Sequence, residues 1–195
     1  MLSSVLKACD CNIDSNSKNV IFGTVFSYER GFDNLLESLT KVDYQVCLIV
    51  LGDKSHKSMR DTLRRFGESM SQKTYMNYKN IHICFSQLLP QELYDSLLYC
   101  TDFNLVRGED SLVRAICSGK PFVWNAYIQE NRYQTVKVDA FLECFGQYFD
   151  DSGVFERYKR LMFSYNNAPD EKTMQVTDEN FYYFISDLNK IEHAT

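Results

Sequence analysis

The amino-acid sequence predicts an α/β fold, a parallel β-sheet with helices on both faces. Three observations predict it. Short apolar runs alternate with amphipathic stretches along the chain. One run, Tyr44 to Leu51 (YQVCLIVL), is apolar almost without a break, as a central parallel strand covered on both sides must be. Glycines stand at the joints, above all in Arg107-Gly108-Glu109-Asp110-Ser111, where a strand end, a tight turn and a helix start follow one another.

The elements are read in order as follows. Residues 1–18 form a linker-like N-terminal segment, with a short amphipathic start and then a polar run rich in Asn, Ser and Asp. Residues 19–195 form the domain. Its first strand is Asn19–Phe26, apolar and β-branched, and Ser27–Gly31 is the loop after it. Phe32, Leu35, Leu36 and Leu39 share one helical face. The central strand ends at Gly52-Asp53. Ser58–Met70 is a helix with Met59, Leu63 and Phe66 inward; Lys57, Arg60 and Arg64 form a solvated outer face. Residues 73–79 read as a loop. Ile81–Phe85 is a third strand, with His82 as a packed or edge histidine. Ser86–Pro90 is a loop and Gln91–Tyr99 a helix. The fourth strand ends at Val106. The helix Glu109–Ser118 stops at Gly119, a C′ glycine. Phe122–Trp124 is a fifth strand and Asn125–Tyr133 a loop. Helices follow at Gln134–Tyr148, Gly153–Asn166 and Thr177–Ile191, the last two separated by a polar loop around Pro169.

Composition narrows the function classes. The 195 residues are 45% hydrophobic and 24% charged, which suits one globular domain with a sizeable core. A net charge of −5 argues against nonspecific nucleic-acid binding, which needs a basic face. No stretch approaches the roughly 18 apolar residues of a membrane span. Of seven cysteines, Cys47, Cys84, Cys100, Cys117 and Cys144 lie in apolar segments and read as small buried thiols. Cys9 and Cys11 form a C-x-C pair with no second ligand pair nearby in sequence, and His56, His82 and His193 are scattered singly. No metal site is expected. Free thiols and no recognisable export signal point to the cytoplasm.

Ligands of parallel α/β sheets bind at the carboxyl ends of the strands. Three loops there are chemically pointed: 27–31, 86–91 and 107–111. In the last, Gly108 permits close backbone approach. The N–H groups of Asp110 and Ser111 and the Ser111 hydroxyl can donate to phosphate oxygens, and Arg107 can add charge-assisted bonds. Glu109 and Asp110 bring negative charge to the same place. Acids in a helix's first turn are also ordinary dipole complements, and Asp110 can pair with Arg114 one turn on. The local residues leave both readings open. No G-x-G-x-x-G, G-x-x-x-x-G-K-[ST] or G-x-S-x-G occurs, which disfavours NAD binding, P-loop hydrolysis and a serine-hydrolase elbow.

An ordered set of motifs carries a resemblance. It comprises Arg107-Gly108-Glu109-Asp110-Ser111-Leu112-Val113-Arg114-Ala115, then Gly119-Lys120-Pro121-Phe122-Val123-Trp124, then Tyr127-x-Gln129. Upstream stand Phe26-Ser27-Tyr28-Glu29 and Leu89-Pro90-Gln91-x-x-Tyr94-Asp95-x-Leu97-Leu98; downstream stands Lys137-x-Asp139-Ala140-Phe141-Leu142. From about Val20 to Phe145 the chain resembles the arginine rhamnosyltransferases of elongation factor P, the EarP family.

The resemblance implies a Rossmann-like domain similar to the C-terminal half of a GT-B glycosyltransferase. It implies an inverting, metal-independent transfer of rhamnose from dTDP-β-L-rhamnose to an arginine of elongation factor P, with no cofactor. By it, Arg107, Asp110 and Ser111 hold the diphosphate side of the donor, Tyr28 and Gln91 help form the nucleotide pocket, and Glu109 is needed for activity. Leu88 stands where the family usually has a thymine-stacking Phe, three residues before the glutamine; Ile128 stands where it usually has Pro. Family members are about twice as long, and their aspartate base lies in an N-terminal domain. The base is therefore expected from outside this chain, and the chain alone is expected to bind donor better than it turns it over. Two further readings are a stand-alone nucleotide-sugar-binding module without catalysis, and an interaction protein docking through Phe181, Tyr182, Tyr183 and Phe184.

Overall fold

The structure is a computed structural model, and it describes residues 2–11, 13, 19–69, 73–129, 133–166 and 178–195. The strands are β1 (Val20–Val25), β2 (Gln45–Leu51), β3 (Tyr75–Tyr78), β4 (Ile81–Ser86), β5 (Phe103–Arg107) and β6 (Phe122–Asn125). They form one sheet in the order β3-β4-β2-β1-β5-β6. All neighbours are parallel except β3, which runs antiparallel to β4. The helices are α1 (Leu2–Ala8), α2 (Asp33–Leu39), α3 (Gly52–Arg65), α4 (Gln91–Cys100), α5 (Gly108–Ser118), α6 (Tyr133–Phe145), α7 (Ser152–Asn166), α8 (Asp178–Ser186) and α9 (Leu188–Glu192).

Alternation along β2 shows why that strand is so apolar. Val46, Leu48 and Val50 enter one core with Leu35, Leu36 and Leu39 of α2, Met59 and Leu63 of α3, Leu161 of α7 and Phe184 of α8. Cys47, Ile49 and Leu51 face the other way and pack with Val5 and Leu6 of α1 and Leu97 of α4. With both faces of the strand buried, every position must be apolar. The α/β class read from the sequence is the observed one.

Four elements differ from expectation. Tyr75–Tyr78, within the loop expected at 73–79, is the edge strand β3. An edge strand pairs on one side only, so it needs no apolar run to announce it. Helix α3 begins at Gly52, six residues before the expected start. Its first turns bury small hydroxyls that serve as hydrogen-bond partners: Ser55 Oγ accepts from Ser27 N (2.9 Å), Ser58 Oγ from Arg30 N (3.1 Å) and Thr62 Oγ1 from Phe32 N (3.0 Å). A hydropathy pattern reads such a stripe as solvent-facing. The helix expected over Thr177–Ile191 is divided into α8 and α9 at Asp187, whose carboxylate receives Arg157 Nε and Nη2 at 2.9 and 2.6 Å. Finally, the first part of the linker-like segment is folded. The apolar face of α1 docks on the sheet, leaving Val5, Leu6, Cys9 and Cys11 nearly inaccessible. Most of the polar run at 12–18, the Met70 end of the third expected helix and the loop around Pro169 lie outside the described residues.

The buried-thiol reading holds for Cys47; Cys84 is buried but bridged to Cys11, so the free-thiol expectation fails for that pair, while Cys117 and Cys144 are exposed and Cys100 is half-buried. On α5 the inward residues are Ala115 and Ser118, and on α6 Leu142 and Phe145, which turns 117 and 144 outward. The aromatic run near the C-terminus is also divided by helical period: Phe181 and Phe184 are core, Tyr182 and Tyr183 surface.

Candidate functional site

The strand order reverses direction beside β1. From β1 the chain moves outward through β2 to β4, then returns to place β5 on β1's other side. The loops leaving the carboxyl ends of two such strands diverge and open a crevice between them. Here those loops carry Ser27–Gly31 and Arg107–Ser111, two of the three segments singled out from the sequence.

At the second segment Arg107 is extended (φ −129°, ψ 149°) and Gly108 takes φ +70°, so the chain turns from strand to helix in one residue. A Cβ at Gly108 would lie 3.2 Å from the Tyr28 hydroxyl, which shows how closely the two loops meet. No side chain caps α5. Its first N–H groups are left for solvent or a ligand, at the positive end of the helix dipole. The Gly108 carbonyl accepts from Trp124 Nε1 at 2.9 Å, which fixes the turn from the β6 side.

Arg107 stands over this opening. Its guanidinium stacks 4.1 Å from the Phe26 ring and 5.1 Å from that of Tyr28, and Nη1 donates to Ser27 O at 2.9 Å. Five N–H donors on one plane leave more for an anion. Partial burial pulls the Arg107 pKa down from its ordinary value and pushes that of Tyr28 up. Both remain in their usual forms near neutrality, a cation and a neutral phenol. The first loop is held from several directions: Ser27 Oγ donates to Asn125 Oδ1 (3.0 Å), Tyr165 Oη donates to Ser27 Oγ (3.2 Å), and Arg30 Nη1 donates to Tyr165 O (2.6 Å).

The acids divide. Asp110 turns aside to Arg114, accepting from Nε at 2.8 Å, so the local dipole-and-pair reading describes this side chain. Arg114 also reaches Asp95 on α4, Nη1 donating to its two oxygens at 2.7 and 2.8 Å. Gln91, at the start of α4, joins them: with its amide oxygen turned inward it accepts from Arg114 Nη1 at 3.0 Å. The network fastens the start of α4 to α5 and leaves the Asp110 carboxylate mostly exposed. Glu109 accepts from Lys137 Nζ of α6 at 2.7 Å. That hydrogen bond holds its carboxyl below the usual carboxylate range, so Glu109 is an ionised acceptor at neutral pH.

Ser111 is buried, its side chain near Tyr94. The Tyr94 hydroxyl is itself buried without a hydrogen-bond partner, and burial pushes its pKa up to about 12. Among the expected site residues, Tyr28, Arg107, Gly108 and Ser111 converge on the crevice. Gln91 and Asp110 meet through Arg114. Tyr94, Asn125 and the Arg114–Asp95 pair were not read as site residues. The one sequence signal for the pair was Asp95 standing one turn after Gln91, on the face that also carries Tyr94.

Comparison with known proteins shows the family and the fold. The family model described as "Elongation-Factor P (EF-P) rhamnosyltransferase EarP" matches residues 3–195. A protein-arginine rhamnosyltransferase of Shewanella oneidensis is 27% identical over 136 residues, 68% of this chain and 34% of that protein. One from Pseudomonas aeruginosa is 50% identical over 62 residues, 30% of this chain and 16% of that protein. A solved structure, described as "Structural basis for EarP-mediated arginine glycosylation of translation elongation factor EF-P", shares the fold at TM-score 0.78 and 21% identity. The match covers 98% of this chain and 58% of that one, so the chain spans part of the length of its relatives. With its whole described length matched by one family model, the chain belongs to the EarP family of elongation factor P rhamnosyltransferases.

Proposed function

We propose that this chain is the donor-binding part of a protein-arginine rhamnosyltransferase. It takes dTDP-β-L-rhamnose, and the sugar passes with inversion to an arginine of elongation factor P. The observation that carries the reading is the uncapped α5 N-terminus with Arg107 and Gly108, placed where the strand order reverses and facing Tyr28. In the transfer, the acceptor guanidine nitrogen attacks the anomeric carbon from one face while the dTDP oxygen leaves from the other. The negative charge that develops on the departing diphosphate is met by Arg107, the α5 N–H groups and the Ser111 hydroxyl, so the step is metal-independent. Tyr28 and Gln91 border the nucleotide. Glu109, kept ionised by Lys137, suits accepting hydrogen bonds from sugar hydroxyls or from the incoming guanidinium. Its lowered pKa makes it a weak proton acceptor, and the base that the attacking nitrogen requires is assigned to no residue of this chain.

Calorimetric titration with dTDP, dTDP-rhamnose and UDP tests this. Both thymidine ligands should bind, and UDP more weakly. Absence of heat at millimolar dTDP would remove the donor site. A second reading, a stand-alone nucleotide-sugar-binding module without catalysis, is favoured by Leu88, which is 63% exposed where the family has its stacking aromatic. Donor binding without rhamnosylation of elongation factor P, even when the family's N-terminal domain is supplied, would select it.

A further inference from the structure

Four of the seven cysteines meet on the sheet face covered by α1. Helix α1 ends in a Schellman turn: Asp10 takes φ +53°, Cys11 N donates to Leu6 O at 2.9 Å and Asp10 N to Lys7 O at 3.2 Å. That turn sends both Cys9 and Cys11 inward, to 1% and 4% exposure. Cys47 comes from β2 and Cys84 from the neighbouring β4. In register, Cys47 stands opposite His82 and Cys84 opposite Ile49, so the two thiols lie diagonally on one face. The sulfurs of Cys11, Cys47 and Cys84 all lie within 4.8 Å of one another, and all three residues are buried.

The Cys11 and Cys84 sulfurs are in disulfide contact, their Cα atoms 5.7 Å apart, and the Cys47 sulfur is 3.5 Å from that of Cys11. A disulfide employs two of these sulfurs and leaves Cys47 idle beside it. A thiophilic cation employs all three. Three ligand segments distant in sequence converge on one point, which packing of small apolar residues does not require.

We propose that Cys11, Cys47 and Cys84 form in their reduced state a three-sulfur structural site for a soft divalent cation of the Zn²⁺ class. The ligands bind as thiolates, each releasing its proton to solvent; the Cys11–Cys84 disulfide is the metal-free form left when a thiol oxidant such as dioxygen or an external disulfide takes two electrons from those two sulfurs and the cation is released. The cation clasps α1 to β2 and β4. It sits under the residues that lead to the donor crevice, since Phe26 and Leu89 pack on the same cluster. Thiolate ligands and an apolar shell select Zn²⁺ over Mg²⁺ or Ca²⁺, which take oxygen ligands.

The test uses the full chain reduced anaerobically with a phosphine, which converts the disulfide to two thiols while water supplies the oxygen of the phosphine oxide. Titration with Co²⁺ should give thiolate-to-cobalt charge-transfer bands and tetrahedral d–d bands saturating at one equivalent, displaced by Zn²⁺. Cys11→Ser, at the end of α1 and outside the sheet, should weaken cobalt binding by about tenfold or more. Cys117→Ser and Cys144→Ser, on exposed helix faces, should leave it unchanged. Zinc-edge X-ray absorption of the unaltered protein should show at least three sulfurs at about 2.3 Å, a readout independent of how any variant folds. No thiolate band after reduction, fewer than three sulfur ligands, or a band that survives in Cys11→Ser and disappears in Cys117→Ser would overturn the proposal.

Discussion

Two strand-to-helix turns flank β1 at the carboxyl edge of the sheet, β2 into α3 and β5 into α5. Their backbones are near copies. Each has an extended residue (Leu51, φ −108° and ψ 131°; Arg107, φ −129° and ψ 149°), then a left-handed glycine (Gly52, φ +75°; Gly108, φ +70°), then a helix with no capping side chain and acid in its first turn. Their side chains part company. Leu51 is core, and the space beside Gly52 is closed by Leu88 and Phe26; the space beside Gly108 opens toward Tyr28 under the Arg107 guanidinium. A helix start is thus a potential anion site everywhere, and the one at α5 differs from that at α3 in carrying a cation beside it and no apolar cover. Phe26 belongs to both turns, stacked on Arg107 and in reach of Gly52. In the proposed function, the Leu88 and Phe26 side is assigned to the nucleoside and the Arg107 side to the diphosphate.

Four substitutions probe that division. The largest effect is expected of Arg107→Ala, which should weaken both dTDP and inorganic pyrophosphate by about 1.5–3 kcal/mol, the worth of a charge-assisted contact; equal affinities in calorimetry would take Arg107 out of the site. Next come Gly108→Ala and Gly52→Ala. Each forces a Cβ into a left-handed backbone and should cost about 1–2 kcal/mol in urea denaturation. They should part in binding, since only Gly108→Ala removes pyrophosphate affinity; if both or neither do, the two turns are not functionally distinct. The smallest is Leu88→Phe, which should tighten dTDP by about 1 kcal/mol through base stacking and leave pyrophosphate untouched. A gain for pyrophosphate as well would place Leu88 on the diphosphate side.

What the sequence disclosed follows from how each signal arises. The apolar run of β2 and the Arg107–Ser111 turn were legible because burial on two faces and a sharp turn both dictate residue type locally. The edge strand β3 and the early start of α3 were not, since pairing on one side and buried hydroxyls look like loop and solvent face to a hydropathy pattern. Within the site, Arg107 and Tyr28 announced themselves at strand ends. Tyr94 and the Arg114–Asp95 pair did not, because their meaning depends on α4 lying against α5. The cysteines make the same point more sharply: Cys9-x-Cys11 lacked partners along the chain and finds Cys47 and Cys84 only across the sheet.

The fastening of the loop after β1 bears on how the molecule comes into being. Ser27 is tied to Asn125, 98 positions later, and to Tyr165, 138 positions later; Arg30 reaches Tyr165 across 135. During synthesis β1 leaves the ribosome long before those partners exist. The loop after β1 is consequently set late, by closures of high contact order, when α7 arrives. A chain arrested before Tyr165 has its first strand and its Arg107–Ser111 turn, yet not the tethers that fix the loop facing that turn.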